Sequence, residues 1–401
     1  MKLSEELLWR GFHAETTIKD PSTLDEKSRK FYLGADPSAD SLTIGNLAAL
    51  MMCACFARHG YEPHLLVGGA TGQIGDPKET GERDLKSLDE IEHNKQCIAA
   101  QMQRIVGGAQ VHDNINWFSN MNYLTFLREI GKNFSMTQLL DRQFIQARIG
   151  EGGSGISYAE FSYTLIQGYD FYHLYTEYGI DLQLCGADQY GNCASGLHLI
   201  RTLSDGQADI WSTPLIIDPV TGRKFGKSEG NAIWLAATDN GSGNFTPVFD
   251  YYQFWLGQSD QAVESLLKVY TTLSKEEIDD ILTRHAEHPE QRIAQKALAL
   301  GSTSVVHGVE NAEKVAKLTE MLFNKDADLD LTLAAEFLPH ATPDTPLLDV
   351  LVSTGVAASK NEARGLLKAG AISLNGEKLS LDSELKTGLL KKGKNKFVVI
   401  K

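Results

Sequence analysis

Two periods of hydrophobicity alternate over about the first 215 residues of the chain. Residues 29–34 (RKFYLG) read as a strand, the turn-rich DPSADS follows, and an apolar helical run extends from Leu47 to His59. Residues 62–68 (EPHLLVG) have the pattern of a buried strand that runs into Gly69-Ala70-Thr71-Gly72. Ser87 to Val106 has the pattern of a charged amphipathic helix closed by Gly107-Gly108, and Val111 to Trp117 that of a short strand. Glu151-Gly152-Gly153-Ser154-Gly155 marks a loop. Tyr158 to Tyr178 predicts a long helix, and residues 179–186 (GIDLQLCG) a further strand. Strands that alternate with helices predict an α/β domain on a parallel sheet.

From about Thr246 to Phe323 the period is helical throughout. Helices are predicted over Pro247 to Leu256, Gln261 to Leu273, Lys275 to Arg284 and Pro289 to Leu300. Acidic residues directly after Ser274 fit a helix N-terminus. Between Asn324 and Thr345 the period fades and prolines gather, which predicts a linker. Pro346 to Leu367 then suggests two short helices, and Ala371 to Lys401 short strands with turns.

Composition narrows the class. A chain of 401 residues exceeds one ordinary core and predicts two or three domains. Five cysteines are too few for a disulfide scaffold and suit a reducing compartment. Cys53-Ala54-Cys55 lacks the spacing of a zinc site, and no metal ligand set is predicted. No targeting pattern opens the chain and no run approaches the length of a membrane span, so a cytoplasmic protein is expected. The net charge of −14 argues, as one number, against nucleic acid. Read by segment it says something else. Residues 346–401 hold ten Lys and Arg against five Asp and Glu, a basic module of about +5 on a body of about −19.

Four constellations could carry chemistry. In Asp36 to Asn46 (DPSADSLTIGN), a turn before a helix offers unpaired N–H groups to an anion, with side-chain donors at Ser38, Thr43 and Asn46 and close approach at Gly45. The same pattern fits a plain N-capped loop. Lys224-Phe225-Gly226-Lys227-Ser228 places two lysines three apart in a glycine-flanked loop, suited to a polyphosphate or to an ordinary basic surface. Tyr163, Gln167 and Asp170 share one helix face among apolar neighbours and need partners if buried. Residues 185–192 (CGADQYGN) close a strand, where open parallel sheets bind ligands, and Asp188 there can accept from ribose hydroxyls.

Together these segments resemble the bacterial tyrosyl-tRNA synthetases, of class I. TIGN (43–46) stands where the family has HIGH, and KFGKS (224–228) where it has KMSKS. LVGGATGQIGDP (66–77), EFSYTLIQGYDF (160–171), CGADQYGN and DYYQFWL (250–256) match in the family's order, and the tail resembles a small ribosomal RNA-binding module. The resemblance implies a Rossmann-like parallel-sheet catalytic domain over 1–220 and a signature loop and connection over 221–245. It implies an α-helical domain of anticodon-binding type over 246–325, a linker over 326–345, and a small α+β RNA-binding domain over 346–401.

It further implies activation of L-tyrosine by ATP with Mg²⁺, transfer of tyrosyl to tRNA(Tyr), and a homodimer, with the apolar helices near Tyr123 to Leu140 as candidates for its interface. By the same match, Lys224, Lys227 and Ser228 grip pyrophosphate, and Ser38 adds a donor. Tyr32 and Asp170 hold the phenolic hydroxyl; Asp76, Tyr163 and Gln167 hold the α-ammonium. Gly186 and Asp188 take the ribose, and Gly34, Asp36, Gly45 and Gln189 line the ATP side with Asn46 and Lys227.

The sequence departs from the pattern at Thr43 and Asn46, where the family has histidines, and at Leu33, where it often has cysteine. Threonine is shorter than histidine and cannot become cationic. In the loop after Pro77, Lys78 and Arg83 compete for the place of the family's mobile basic residue. Two other readings stand beside this one. A tryptophanyl enzyme shares the fold, but Tyr32, Asp170 and the basic tail oppose it. A synthetase-like RNA-binding protein without activation chemistry is motivated by Thr43 alone.

Overall fold

The computed structural model describes residues 1–77, 84–140, 143–150, 152–217, 227–228, 231–324, 328–393 and 395–401, with backbone alone at 138, 143, 144, 147, 227, 228 and 231. Two compact units form: Met1–Thr246 with Trp255–Val306, and Pro247–Phe254 with His307–Lys401.

The first unit is built on five parallel strands: β1 (Lys30–Ala35), β2 (Glu62–Val67), β3 (Gln110–Asp113), β4 (Leu182–Gly186) and β5 (Asp209–Thr213). Their order is β3-β2-β1-β4-β5, so the winding reverses between β1 and β4. Both faces of such a sheet are covered, which is why the strands read as near-continuous apolar runs. On one face Phe31 and Trp211 pack against Phe56 of the helix Ile44–Arg58. On the other, Tyr32, Cys185 and Ile210 join Phe171 and Leu174 of the helix Tyr158–Tyr178 and Leu197 and Ile200 of Tyr190–Ser204.

Local signals set the helix ends. Ser157 accepts from the Glu160 N–H, and Gly179 at φ 68° stops the helix after Tyr178, as its sequence predicts. Ser87 caps Leu88–Ile105 in the same way, and Ser274 with Glu277 forms a capping box on Lys275–Glu287. Helices Val248–Leu256, Asp260–Tyr270, Ile293–His307 and Val309–Phe323 complete the expected helical stretch. The buried Arg10 guanidinium donates to the carbonyls of Lys268, Thr271 and Leu273, satisfying the end of Asp260–Tyr270.

Two local expectations give way. The strand predicted over Val111 to Trp117 ends at Asp113, and a short helix, Ile115–Phe118, follows. The Asp113 carboxylate accepts from the Ile115 N–H and the Gly69 N–H, turning the chain. The stretch read as a linker holds a helix, Leu331–Phe337, whose Asp330 cap accepts from Thr332 and Leu333, and its Leu333 and Ala334 are buried. His340–Ala341 then pairs with Val399–Ile400.

In the second unit, helices Leu347–Ser353 and Lys360–Lys368 pack on a sheet of Ile372–Leu374, Glu377–Lys378, Gly388–Lys392 and Lys396–Ile400 together with His340–Ala341. Lys360, Arg364 and Lys368 recur every four residues and are exposed, while Ala363 and Leu367 face the core.

Candidate active site

The reversal of strand order places a crevice at the carboxyl ends of β1 and β4, where α/β sheets bind ligands. A cavity of about 660 Å³ opens there. Tyr32, Gly34, Asp36, Ser38, Thr43, Gly45, Asn46, Asp76, Tyr163, Gln167, Asp170, Gly186, Asp188 and Gln189 all line it. Lys224 lies outside the described residues, as do Lys78 and Arg83; Lys227 and Ser228 lie on a two-residue strand paired with Asn231–Ala232.

Three polar groups organise the wall. The Tyr163 hydroxyl donates to Asp36 Oδ2 at 2.8 Å, and Thr71 donates to Asp36 Oδ1 at 2.7 Å. The loop after β2 must therefore pass close to Asp36. A Cβ on Gly68 would lie 2.2 Å from Asp36 Oδ1, so only glycine fits. Gln189 and Asn192 donate to the two oxygens of Asp76 at 3.0 and 3.3 Å. Asp170 receives Trp117 Nε1 at 2.9 Å and Asn114 Nδ2 at 3.1 Å. Thr71, Asn114, Trp117 and Asn192 were not singled out from the sequence. The short helix that replaces the end of the predicted strand is what carries Trp117 to Asp170.

Burial dominates the electrostatics. It pushes the Asp170 carboxyl up to about 8, against the two hydrogen bonds, with Asp36 and Asp113 adding repulsion. Burial also raises the phenols of Tyr32 and Tyr163 well above their ordinary value, helped at Tyr163 by Asp36 and Asp76. Among the described residues, the Tyr32 hydroxyl and Gln167 Oε1 are buried without a hydrogen-bond partner. Buried polar groups are normally satisfied, so both fit a ligand that brings its own donors and acceptors.

At the helix Ile44–Arg58, Thr43 is the cap residue. Its N–H and hydroxyl both lie 3.0 Å from Asn46 Oδ1. The two residues that replace the family's histidines thus hold one another at the mouth of the helix N-terminus.

A second group, Glu6, Cys55 and His59, brings potential metal-ligand atoms within 4.8 Å of one another. Glu6 is already bonded to Arg10, Arg58 and His59 at 2.6, 3.0 and 2.7 Å. Burial raises its carboxyl, but those partners outweigh it and bring it to about 2. Two guanidiniums leave no place for a cation, and the cluster is an ion-pair hub.

Residues 24–324 match the family model for class I tRNA synthetases of the tryptophanyl and tyrosyl type, and residues 334–401 match the C-terminal domain of tyrosine–tRNA ligases. The tyrosine–tRNA ligase of Geobacillus kaustophilus is 38% identical over 429 aligned positions, covering 100% of both chains. That of Streptococcus mutans is 36% identical, again over 100% of both. The chain is a class I tyrosyl-tRNA synthetase. The tyrosyl rather than tryptophanyl branch follows from the full-length relatives and the C-terminal module together. The truncated mitochondrial tyrosyl-tRNA synthetase of Aspergillus nidulans, 28% identical, superposes with a TM-score of 0.70 over 80% of this chain and 94% of that one. In the synthetase frame, the crevice at β1 and β4 is the active-site candidate.

Proposed function

We propose that this cavity holds tyrosine and ATP side by side and makes tyrosyl-adenylate. The tyrosine carboxylate attacks the α-phosphorus of ATP, which enters as its Mg²⁺ complex. A new O–P bond forms, the bond to the β-phosphate breaks, and pyrophosphate leaves. A ribose hydroxyl at the 3′ end of tRNA(Tyr) then attacks the activated carbonyl, and AMP leaves. The protein's part is positioning and stabilisation of charge on the phosphates.

The observation that carries this reading is the partnerless buried Tyr32 hydroxyl, in one cavity with the buried Asp170. A phenol gives the Tyr32 hydroxyl a partner and adds a bond to Asp170, which already holds Trp117 and Asn114, whereas phenylalanine leaves the Tyr32 hydroxyl stranded. Tyrosyl enzymes are the standard example of discrimination by this effect. Asp76, Tyr163 and Gln167 take the α-ammonium. Gly186 and Asp188 take the ribose, with Gly34, Asp36, Gly45 and Gln189 lining the nucleotide. Ser38, Thr43, Asn46, Lys224, Lys227 and Ser228 take the phosphates. Thr43 supplies a neutral donor in place of a cation.

The exposed basic face of Lys360, Arg364 and Lys368 suits RNA phosphates. The exposed side chains of Tyr123, Leu124, Met136, Ile149 and Tyr158 suit a homodimer contact. Among the described residues no helix is long and apolar enough to cross a membrane, and all five cysteines are free, which supports a cytoplasmic enzyme. Tyrosine-dependent exchange of labelled pyrophosphate into ATP tests the reading. The expected result is exchange with tyrosine and none with tryptophan; folded protein without exchange rejects it.

A further inference from the structure

We propose that Thr213 is a binding residue for the nucleoside of ATP, its hydroxyl supplying a hydrogen bond that the backbone at this strand end cannot. The inference rests on the assignment of the cavity to tyrosine and ATP. Thr213 is the last residue of β5, lines the cavity and is 2% exposed. Among the described residues its Oγ1 has no hydrogen-bond partner. Two other threonine hydroxyls near the site are satisfied: Thr71 donates to Asp36 at 2.7 Å and Thr164 to Asn192 at 3.2 Å. Valine would give the same shape and branching without a stranded polar atom, so the hydroxyl calls for a partner that arrives with a ligand.

The sheet tells which ligand. In register, Thr213 stands opposite Gly186, the last residue of β4 and a ribose candidate. Residues two apart on a strand share a face, so Thr213 stands on the face of Trp211, whose ring packs on Phe56 of the helix Ile44–Arg58. The first turn of that helix brings Gly45 and Asn46 to the same cavity. Tyr32 lies on the opposite face, its ring 5.3 Å from Phe171. Thr213 therefore stands on the face of the sheet opposite Tyr32, beside Gly186 at the end of β4, and lines the same cavity as the start of the helix. Pro214 follows and has no N–H, so the backbone donates nothing at that position, whereas the Thr213 hydroxyl can. A hydroxyl can donate to ring or ribose oxygen and nitrogen acceptors and accept from an exocyclic amine, which matches a nucleoside.

Thr213→Val tests this in the pyrophosphate exchange assay. The KM for ATP is expected to rise about three- to tenfold, the worth of one neutral hydrogen bond, with the KM for tyrosine unchanged. The ligand-free melting temperature is expected to hold or rise, since an unpaired polar atom is removed. Thr213→Ser, which keeps the hydroxyl, is expected to hold the KM for ATP within about twofold. A wild-type KM for ATP in Thr213→Val overturns the inference, as does an equal rise in both variants. Wild-type protein in the same assay separates the two levels: its failure to exchange rejects the assignment of the cavity, whereas normal exchange with an unaffected Val variant rejects only the role of Thr213.

Discussion

Asp170 makes the stability of this protein depend on pH in an unusual direction. Its carboxyl is fully buried and pushed from 3.8 up to about 8. Between those values the folded protein keeps the proton and the unfolded chain does not. The native state then binds more protons, so stability falls as pH rises through this window and levels off above about 8. At 1.36 kcal/mol per pH unit, the full span is on the order of 6 kcal/mol. Asp170→Asn removes the titration. Urea unfolding of both proteins at pH 5.5, 6.5, 7.5 and 8.5, followed by tryptophan fluorescence, measures the difference. Wild type is expected to lose about 1.4 kcal/mol relative to the variant with each unit up to about pH 8. Parallel stabilities from pH 5.5 to 8.5 would refute the argument that burial outweighs the Trp117 and Asn114 hydrogen bonds.

Three further outcomes are expected. Tyr32→Phe deletes a buried hydroxyl without a partner, so it should stabilise the free protein by about 1 kcal/mol and lower kcat/KM for tyrosine about tenfold; a lower melting temperature with unaltered tyrosine kinetics speaks against this. Arg148 and Glu160 form a salt bridge with side chains only 2% and 1% exposed, and Arg148 also donates to the Gly155 carbonyl. Arg148→Met strands the carboxylate and should cost about 3–5 kcal/mol in denaturant unfolding, a loss under 1 kcal/mol being inconsistent with it. Thr43→His restores a group that can become cationic at the helix mouth. On the proposed placement of ATP it should raise the rate of adenylate formation only modestly, because Asn46 and the helix N-terminus already line the cavity; a gain above about a hundredfold would mean that the site is crippled as it stands.

What could be read from the chain depended on how local the controlling interaction was. The helix Tyr158–Tyr178 is legible to the residue because Ser157 and Gly179 mark its ends. The constellations at 36–46 and 185–192 sit at strand ends and a helix start, and the parallel sheet gathers those ends, so residues far apart in sequence reach one cavity. The turn after Asp113 was not legible, since it depends on the Gly69 N–H more than 40 residues away. Trp117 and Asn114 were missed for the same reason: their partner is on another element. The helix Leu331–Phe337 hid in a stretch of fading period because one turn with a buried Leu333 carries little signal. Thr213 has no sequence signature, because what marks it is a buried hydroxyl without a partner among the described residues.

The most direct test of the account is charging of tRNA(Tyr) with labelled tyrosine, phenylalanine or tryptophan by the full chain. The structure predicts stable tyrosyl-tRNA with ATP and no product from the other two amino acids. Charging with tryptophan, or equal charging with phenylalanine, would contradict the assignment of Tyr32 and Asp170 to a phenol.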